Sequence, residues 1–206
     1  ADHLDPSHLH SRSPLCGVQD APRLAYYASS NALRRASRIL RSEDPATGLH
    51  DPGVSERLNL NVQAVEPFQR LNVGPYQIFS LKANHAPETT ALLYLIERGE
   101  RVIFYGTDTG EMPQETWDAL ENFGKPCDLV ALDHTFGYMG RSTGHLNTEQ
   151  FLEQVAKLRE IGVVAKHTRV FATHIAHHSN PTHPEMVAAA AQHDYEVAYD
   201  GLTVEV

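Results

Sequence analysis

Residues 101–110 read Arg-Val-Ile-Phe-Tyr-Gly-Thr-Asp-Thr-Gly, an apolar strand followed by a glycine-flanked turn that contains Asp108. The same arrangement occurs twice more, because residues 128–133 are an apolar run that ends in an aspartate, and residues 169–174 one that ends in a histidine. In α/β proteins, ligand-binding and catalytic groups collect where strands give way to loops. We therefore expect the polar side chains at the ends of these three strands to share one rim of a sheet.

Helical and extended segments alternate around these strands, which predicts the α/β fold class. The clearest helix start is Asn147-Thr-Glu-Gln150, which resembles a capping box. Pro113 and Pro184 open two further helices, and Ser29 or Ser30 can cap another. The predicted helices span 29–41, 113–123, 147–160 and 184–192, and the predicted strands span 58–64, 76–82, 90–96, 101–105, 128–132, 169–173, 195–199 and 202–206. The three strands that lead to the rim are expected to be buried.

Length and composition indicate one globular domain, since the chain has 206 residues of which 41% are hydrophobic. Residues 1–206 are interpreted as a single domain, with residues 5–55 as a loop and helical insertion near the active site. No apolar run approaches the roughly 20 residues that a membrane helix needs. The polar start lacks the layout of a secretory signal, and the two cysteines, Cys16 and Cys127, suit a reducing compartment. We therefore expect a cytoplasmic protein without a membrane partner.

Charge and histidine content limit the classes of partner. The formal charge of −9 argues against a nucleic-acid partner, since phosphate backbones bind basic faces. The one basic cluster is formed by the arginines within residues 34–41. The 13 histidines indicate metal or proton chemistry if they converge, and a solvated surface if they do not.

The single residues at the rim are ambiguous when taken one at a time. Asp108 could simply stabilise its turn, and His85, in a loop, could be a surface residue. The run Ala172-Thr-His-Ile-Ala-His-His178 is a stronger signal, because three histidines within five residues at a strand end are typical of metal or proton chemistry. The order of these residues along the chain helps to decide between the two interpretations of each one.

That order resembles the metal-binding pattern of the metallo-β-lactamase superfamily, which is His-x-His-x-Asp-His, then a lone His, a bridging Asp and a final His. Asp2-His3 matches the end of the first motif, His85 the lone His, Asp108 the bridging Asp and His174 the final His. The resemblance implies a four-layer αββα sandwich. Because the sequence begins inside the first motif, we expect the fold to be incomplete at its N-terminal side, with the first two histidines missing.

The resemblance also implies two divalent metal ions, Zn or Mn, in the intact protein. Asp2, His3, Asp108 and His174 would hold one ion, while His85 and Asp108 would hold the other with the two missing histidines. Asp2 and Asp108 thereby count as catalytic residues, since a water shared by two metals loses a proton near neutral pH and attacks the substrate. This chain by itself is expected to hold one metal or none.

Three further segments resemble the phosphoribosyl cyclic phosphodiesterases, and the tRNA 3′-end endonucleases share a related layout. They are Asp133-His-Thr-Phe136, Gly144-His-Leu-Asn147 and Thr173-His-Ile-Ala-His177. The resemblance places His145 over the metals as a proton donor or phosphoryl ligand. Asp133 is expected to orient a ligand imidazole, or else to be a solvated acid. His177 is expected to contact substrate or support the neighbouring metal ligand, or else to be a surface residue.

The favoured function is a metal-dependent phosphodiesterase that acts on a small or cyclic phosphodiester through a metal-bridging hydroxide. The alternatives are a tRNA 3′-processing endonuclease, a thioester or lactam hydrolase of the same fold, and a non-catalytic metal-binding module. The expected partner is a small-molecule substrate, and a homodimer is left open.

Overall fold

A computed structural model describes residues 7–10, 22–43, 49, 52–86, 88 and 90–206. The predictions that concern Asp2 and His3 lie outside the described residues. The chain divides into two compact units, one made of residues 1–66 and 88–90 and the other of residues 67–87 and 91–206. That residues 1–206 act as a single domain stays a prediction.

The larger unit is built on a seven-stranded sheet in which the strands lie side by side in chain order. Its strands are β3 Arg70–Val73, β4 Tyr76–Lys82, β5 Leu92–Arg98, β6 Arg101–Gly106, β7 Cys127–Asp133, β8 Val164–Thr173 and β9 Glu196–Val197. The first four pair antiparallel through short connections, and the last four pair parallel. Parallel neighbours need crossover connections, which are supplied here by the helices α4 Gln114–Phe123, α5 Thr148–Glu160 and α6 His183–Ala190.

Apolar residues that alternate along the strands give the larger sheet a core on each face. In β7, Val130 and Leu132 belong to the main core, whereas Leu129 and Ala131 belong to a smaller cluster. Successive side chains of a strand point to opposite faces, so these two clusters lie on opposite sides of the sheet. Helices α4, α5 and α6 contribute buried residues to the main core, namely Trp117, Leu120, Phe151, Val155, Leu158, Met186 and Ala190.

Two helices of the larger unit begin or end where the sequence has a capping residue. Asn147 accepts a hydrogen bond from the Gln150 amide at 2.8 Å, and the Gln150 side chain returns to the Asn147 amide at 3.3 Å. This capping box satisfies two amides that the first turn of a helix leaves without partners. It also sets where α5 begins, and therefore where the preceding loop with His145 ends. Helix α4 ends at Gly124, which adopts φ 68°.

The smaller unit pairs two parallel strands, β1 Leu24–Ala28 and β2 Leu60–Ala64. Its helices are α1 Ser7–His10, α2 Ser30–Glu43 and α3 Pro52–Arg57. The Ser29 hydroxyl accepts a hydrogen bond from the Ala32 amide at 3.3 Å, as expected of a helix cap. The unit has a core of its own, formed by Leu9, Leu33, Ala36, Leu49, Val54, Leu58 and Leu60.

The predicted α/β class is confirmed, and the strands and helices around the rim lie close to their predicted positions. The prediction of a strand at 202–206 is wrong, because Leu202 and Val204 pack on the smaller cluster without joining the sheet. The predicted strand 195–199 is reduced to the two residues of β9. Strands β1 and β3 were not predicted. Strand β6 is buried on alternate residues only, since the side chain of Tyr105 is 46% exposed.

The parallel strands β6, β7 and β8 are neighbours in the sheet, so their C-terminal ends meet at one edge. Asp108 follows β6, Asp133 ends β7 and His174 follows β8. The sheet order thus brings these three side chains together at one rim. Among the described residues, no helix is long and apolar enough to span a bilayer.

Candidate metal centre

Two rim residues have a backbone conformation that is uncommon outside glycine. Asp108 has φ 60° and His174 has φ 57°. A non-glycine residue in this left-handed region costs about 1 kcal/mol or more, and such residues cluster at functional sites. Each follows the end of a strand, so the sharp change of direction turns its side chain out of the sheet and onto the rim.

Close contact between three loops holds the site together at Gly110. The amide of Gly110 donates to the Asn84 carbonyl at 2.9 Å. A Cβ atom at Gly110 would lie 2.1 Å from the carbonyl oxygen of Thr143, a distance that atoms cannot adopt. Only glycine therefore lets the loop of Asp108 touch both the loop that carries His85 and the loop that carries His145.

The carboxylate of Asp108 faces three imidazoles. Its Oδ1 atom lies 3.4 Å from Nε2 of His85, 3.8 Å from Nδ1 of His145 and 3.8 Å from Nε2 of His174. The ring of His145 lies between the other two, tilted on His85 with centroids 4.8 Å apart and stacked on His174 at 5.4 Å. Asp108, Asp133, His145 and His174 each offer one ligand atom within 4.8 Å of those of the others.

The proton positions on His85 can be deduced from its neighbours. Its Nδ1 atom lies 3.0 Å from the carbonyl oxygen of Gly144, which can only accept a hydrogen bond. Nδ1 must therefore carry the proton, and a neutral His85 directs the lone pair of Nε2 toward the Asp108 carboxylate. Two such acceptors face each other stably only if a proton or a metal cation lies between them.

Asp133 is a buried acceptor with its oxygens fully engaged. Its Oδ1 atom accepts from the amides of Thr135 and Leu146, both at 3.0 Å. Its Oδ2 atom accepts from the Thr135 hydroxyl at 3.0 Å and from Nδ1 of His145 at 3.1 Å. Burial alone would raise the pKa of Asp133, but hydrogen bonds from His145, His174 and the two amides hold that pKa well below its usual range. Asp133 therefore stays ionised in the interior.

The hydroxyl of Thr135 links this carboxylate to His174. Since a carboxylate only accepts, Thr135 donates its single proton to Asp133. The hydroxyl oxygen then accepts from Nδ1 of His174, which lies 2.6 Å away. Both His174 and His145 consequently carry their proton on Nδ1, and their Nε2 atoms keep a lone pair. Such a partner on the far nitrogen is the usual support of a metal-ligating histidine.

These donors fit a divalent cation. The Nε2 atoms of His85 and His174 and the carboxylate of Asp108 are ligands that suit Zn²⁺ and Mn²⁺. Although an oxygen of Asp133 lies close enough to join them, its oxygens already accept hydrogen bonds from His145, Thr135 and Leu146, so we assign it to orienting the imidazoles. The metal-ligand role of His85, Asp108 and His174 stays a prediction, and Asp2 and His3 lie outside the described residues.

Two other histidines flank the centre. His134 is buried, with Nε2 3.1 Å from the hydroxyl of Thr148 and the ring packed edge-on against Phe151. Burial lowers the pKa of His134, and these contacts give it a structural role. His177 lies next to His174 in the loop after β8, where it lines a cavity and contacts the ring of His178.

Sequence reasoning missed Thr135 and the carbonyl group of Gly144. The available signal for Thr135 was its hydroxyl side chain two residues after Asp133. The Gly144 carbonyl had no signal, because a backbone group leaves no trace in residue identity.

The family of the chain follows from comparison with known proteins. A model of the beta-lactamase superfamily domain matches residues 1–175. The chain belongs to the beta-lactamase superfamily. No curated protein sequence matches it. The resemblance to this superfamily is thereby confirmed, whereas the likeness to phosphoribosyl cyclic phosphodiesterases stays a prediction.

The chain has the metallo-β-lactamase fold, as its similarity to solved structures of other proteins shows. The metallo-β-lactamase fold protein YhfI from Bacillus subtilis matches with a TM-score of 0.64 and 18% identity, over 98% of this chain and 75% of that one. Zn(2+)-bound PqqB from Methylobacterium extorquens matches with a TM-score of 0.62 and 15% identity, over 96% of this chain and 68% of that one. Isothiocyanate hydrolase from Delia radicum gut bacteria matches with a TM-score of 0.55 and 14% identity, over 91% of this chain and 70% of that one.

The fold and the rim together support a metal-dependent hydrolase. Identities below one fifth carry the fold alone, so the reaction has to be argued from the side chains. Those side chains form a candidate metal-binding cluster at the place where three parallel strands end.

Proposed function

We propose that this protein is a phosphodiesterase that hydrolyses a small or cyclic phosphodiester with the help of two divalent metal ions, Zn²⁺ or Mn²⁺. The observation that carries the proposal is the convergence of His85, His145 and His174 on one oxygen of Asp108. Bound cations would supply an activated water and stabilise negative charge on the phosphoryl oxygens. Asp2 and His3 are proposed as further ligands from their match to the first motif of the superfamily.

The protein's own residues divide into holding, orienting and proton-donating groups. His85, Asp108 and His174 would hold the cations. Asp133 orients the imidazole of His145, and Thr135 orients that of His174. Hydrolysis breaks one phosphorus–oxygen bond, forms another to the oxygen of water, and leaves a phosphomonoester and an alcohol. His145 acts as the proton donor in its doubly protonated form: Asp133 accepts the hydrogen bond of the Nδ1 proton, and Nε2 takes up a proton from solvent and passes it to the leaving oxygen. The ring of His145 lies between those of His85 and His174 and remains 19% exposed.

A cavity of about 860 Å³ begins at Thr135 and His174 and extends away from the cluster. Cavities of roughly 300–1,000 Å³ are typical of small-molecule sites. This size supports a small substrate, with the phosphate at the cluster and one substituent in the cavity.

A nucleic-acid substrate is the second candidate, because one groove of the smaller unit is basic. Arg34, Arg35 and Arg38 line this groove together with Asn31 and Glu88. The net charge of −9 weighs against it, so a precursor tRNA belongs in the test as a competing substrate.

The test is a substrate panel run on protein that has been loaded with Zn²⁺ or Mn²⁺. The panel contains cyclic and linear phosphodiesters, a precursor tRNA, a thioester and a β-lactam. We expect hydrolysis of the small phosphodiesters, loss of activity in Asp108→Asn, and wild-type activity in Asp118→Asn, whose side chain lies on the surface of α4. Turnover of only the thioester or the β-lactam would overturn the proposal.

A further inference from the structure

The cavity next to the cluster has a lining that distinguishes between kinds of substituent. At one end it shares Thr135 and His174 with the candidate metal centre. The remainder is lined by Thr173, by residues 175–182 of the loop after β8, by α6 and by the segment after β9. None of these residues belongs to the cluster. A substrate with its phosphate at the cluster therefore presents its remaining substituent to this second set of residues.

The residues at the end of the cavity away from the candidate metal centre favour an uncharged ring. Tyr199 is 58% exposed, and its ring lies nearly perpendicular to that of His183 with centroids 5.6 Å apart. The exposed part of the Tyr199 ring offers aromatic surface to a flat group. Met186 and Ala198 add apolar surface. Asp200 supplies a carboxylate, which accepts hydrogen bonds from hydroxyl or amino groups.

The same lining disfavours a second negative charge. Among the described residues that line the cavity there is no lysine or arginine. A phosphate in this place would meet the exposed Asp200 carboxylate, with the imidazoles of His174, His177 and His183 beside it but no lysine or arginine, and like charges repel. Specificity of this kind arises from a repulsive contact as much as from an attractive one.

We propose that this cavity binds an uncharged, hydroxyl-bearing ring, such as a sugar or nucleoside, attached to the scissile phosphate, and that Asp200 determines specificity by excluding a substituent that carries its own phosphate. The proposal rests on the phosphodiesterase function proposed above. It assigns Tyr199 the role of stacking on the ring and His183 the role of supporting Tyr199.

Three nitrophenyl phosphodiesters with the same leaving group test the proposal in the metal-loaded protein. They are the thymidine 5′ ester, the same ester with a 3′-phosphate, and a methyl ester without any ring. We expect kcat/KM for the thymidine ester to exceed both others by roughly tenfold or more, which corresponds to about 1.4 kcal/mol. Asp200→Asn should reduce the preference against the 3′-phosphate, and Asp200→Lys should reverse it. Tyr199→Ala should raise KM for the thymidine ester and leave KM for the methyl ester unchanged.

A binding measurement without metal gives a second readout. In titrations followed by NMR, thymidine 5′-phosphate should shift the signals of Tyr199 and His183, and thymidine 3′,5′-bisphosphate should bind more weakly. Asp118→Asn is the matched control, because it removes one carboxylate that does not line the cavity. Equal kcat/KM for all three esters, unchanged in Asp200→Asn, would overturn this inference and leave the phosphodiesterase standing. If none of the three is hydrolysed, and the cyclic phosphodiesters of the first panel are not hydrolysed either, the phosphodiesterase itself is refuted.

Discussion

The hydroxyl of Thr135 lies 2.6 Å from Nδ1 of His174 and connects that imidazole to a carboxylate that is fully buried. Because hydrogen bonds keep Asp133 ionised, its carboxylate can only accept, so the positions of the protons along this connection are determined. His174 is thereby held with its proton on Nδ1 and its lone pair on Nε2, which faces Asp108.

Replacing Thr135 with valine keeps the shape of the side chain and removes the hydroxyl. We expect metal affinity to fall about 10–100-fold, the usual effect of losing a hydrogen-bond partner of a ligand histidine. Competition with a chelator measures the affinity, and long-range ¹H–¹⁵N NMR of the histidines reports which ring nitrogen of His174 carries the proton. Thr135→Ser restores the hydroxyl and should restore both properties. If valine leaves both unchanged, Thr135 does not orient His174.

His145→Ala should separate catalysis from metal binding. We expect metal content near that of the wild type, because the nitrogens of His85 and His174 and the carboxylate of Asp108 remain, while turnover falls by about 10²–10⁴-fold with the lost proton donor. The loss should be smaller for nitrophenyl esters, since good leaving groups need little protonation. His193→Ala, which changes an exposed histidine, is the control. Loss of metal together with activity would show that His145 is a ligand.

Gly110→Ala should disturb the contact between loops that shapes the rim. The added Cβ would lie 2.1 Å from a backbone oxygen of Thr143, so the loops must separate. We expect the free energy of unfolding to fall by about 1–3 kcal/mol or more, as is typical of overpacking. Gly140→Ala is the matched control, because nothing lies within 4 Å of the Cβ that it adds. Denaturant unfolding of both variants measures the difference, and equal stabilities would contradict this account of Gly110.

The thiol of Cys127 should be inert in the folded protein. Burial raises its pKa to about 12, and the nearby Asp128 and Glu97 add to the shift. Because the folded pKa lies above the unfolded value, this thiol should lower stability progressively as the pH rises above about 9 toward 12. In a Cys16→Ser background, we expect labelling by a thiol reagent only after unfolding, and a smaller loss of stability at high pH in Cys127→Ala. Rapid labelling of the native protein at pH 8 would refute this.

Local sequence signals predicted much of the fold near the site. The capping box at Asn147 determined the start of α5, and the strand Tyr76–Lys82 has the predicted bounds, because both depend on neighbouring residues. Strand Arg70–Val73 was missed, since it is short and depends on pairing with β4. Residues 202–206 resemble a strand because Leu202 and Val204 alternate with polar residues, yet they use this alternation to pack against the sheet.

The sequence predicted which residues form the site, but not the hydrogen bonds that connect them. The order of His85, Asp108 and His174 along the chain marked them as candidates, and the parallel pairing of β6, β7 and β8 explains why strand ends meet. The hydrogen bonds among Asp133, Thr135 and His145 depend on tertiary geometry. No pattern in the sequence specifies which nitrogen of an imidazole carries its proton.

The central claim is that His85, Asp108 and His174 hold a divalent cation, and anomalous X-ray diffraction at the zinc edge tests it most directly. Crystals of the protein would be soaked in zinc and compared with crystals of Asp108→Asn treated in the same way. We predict an anomalous peak bounded by the Asp108 carboxylate and the Nε2 atoms of His85 and His174, and its loss in the variant. Zinc peaks found only elsewhere on the protein, with none at this rim, would contradict the account.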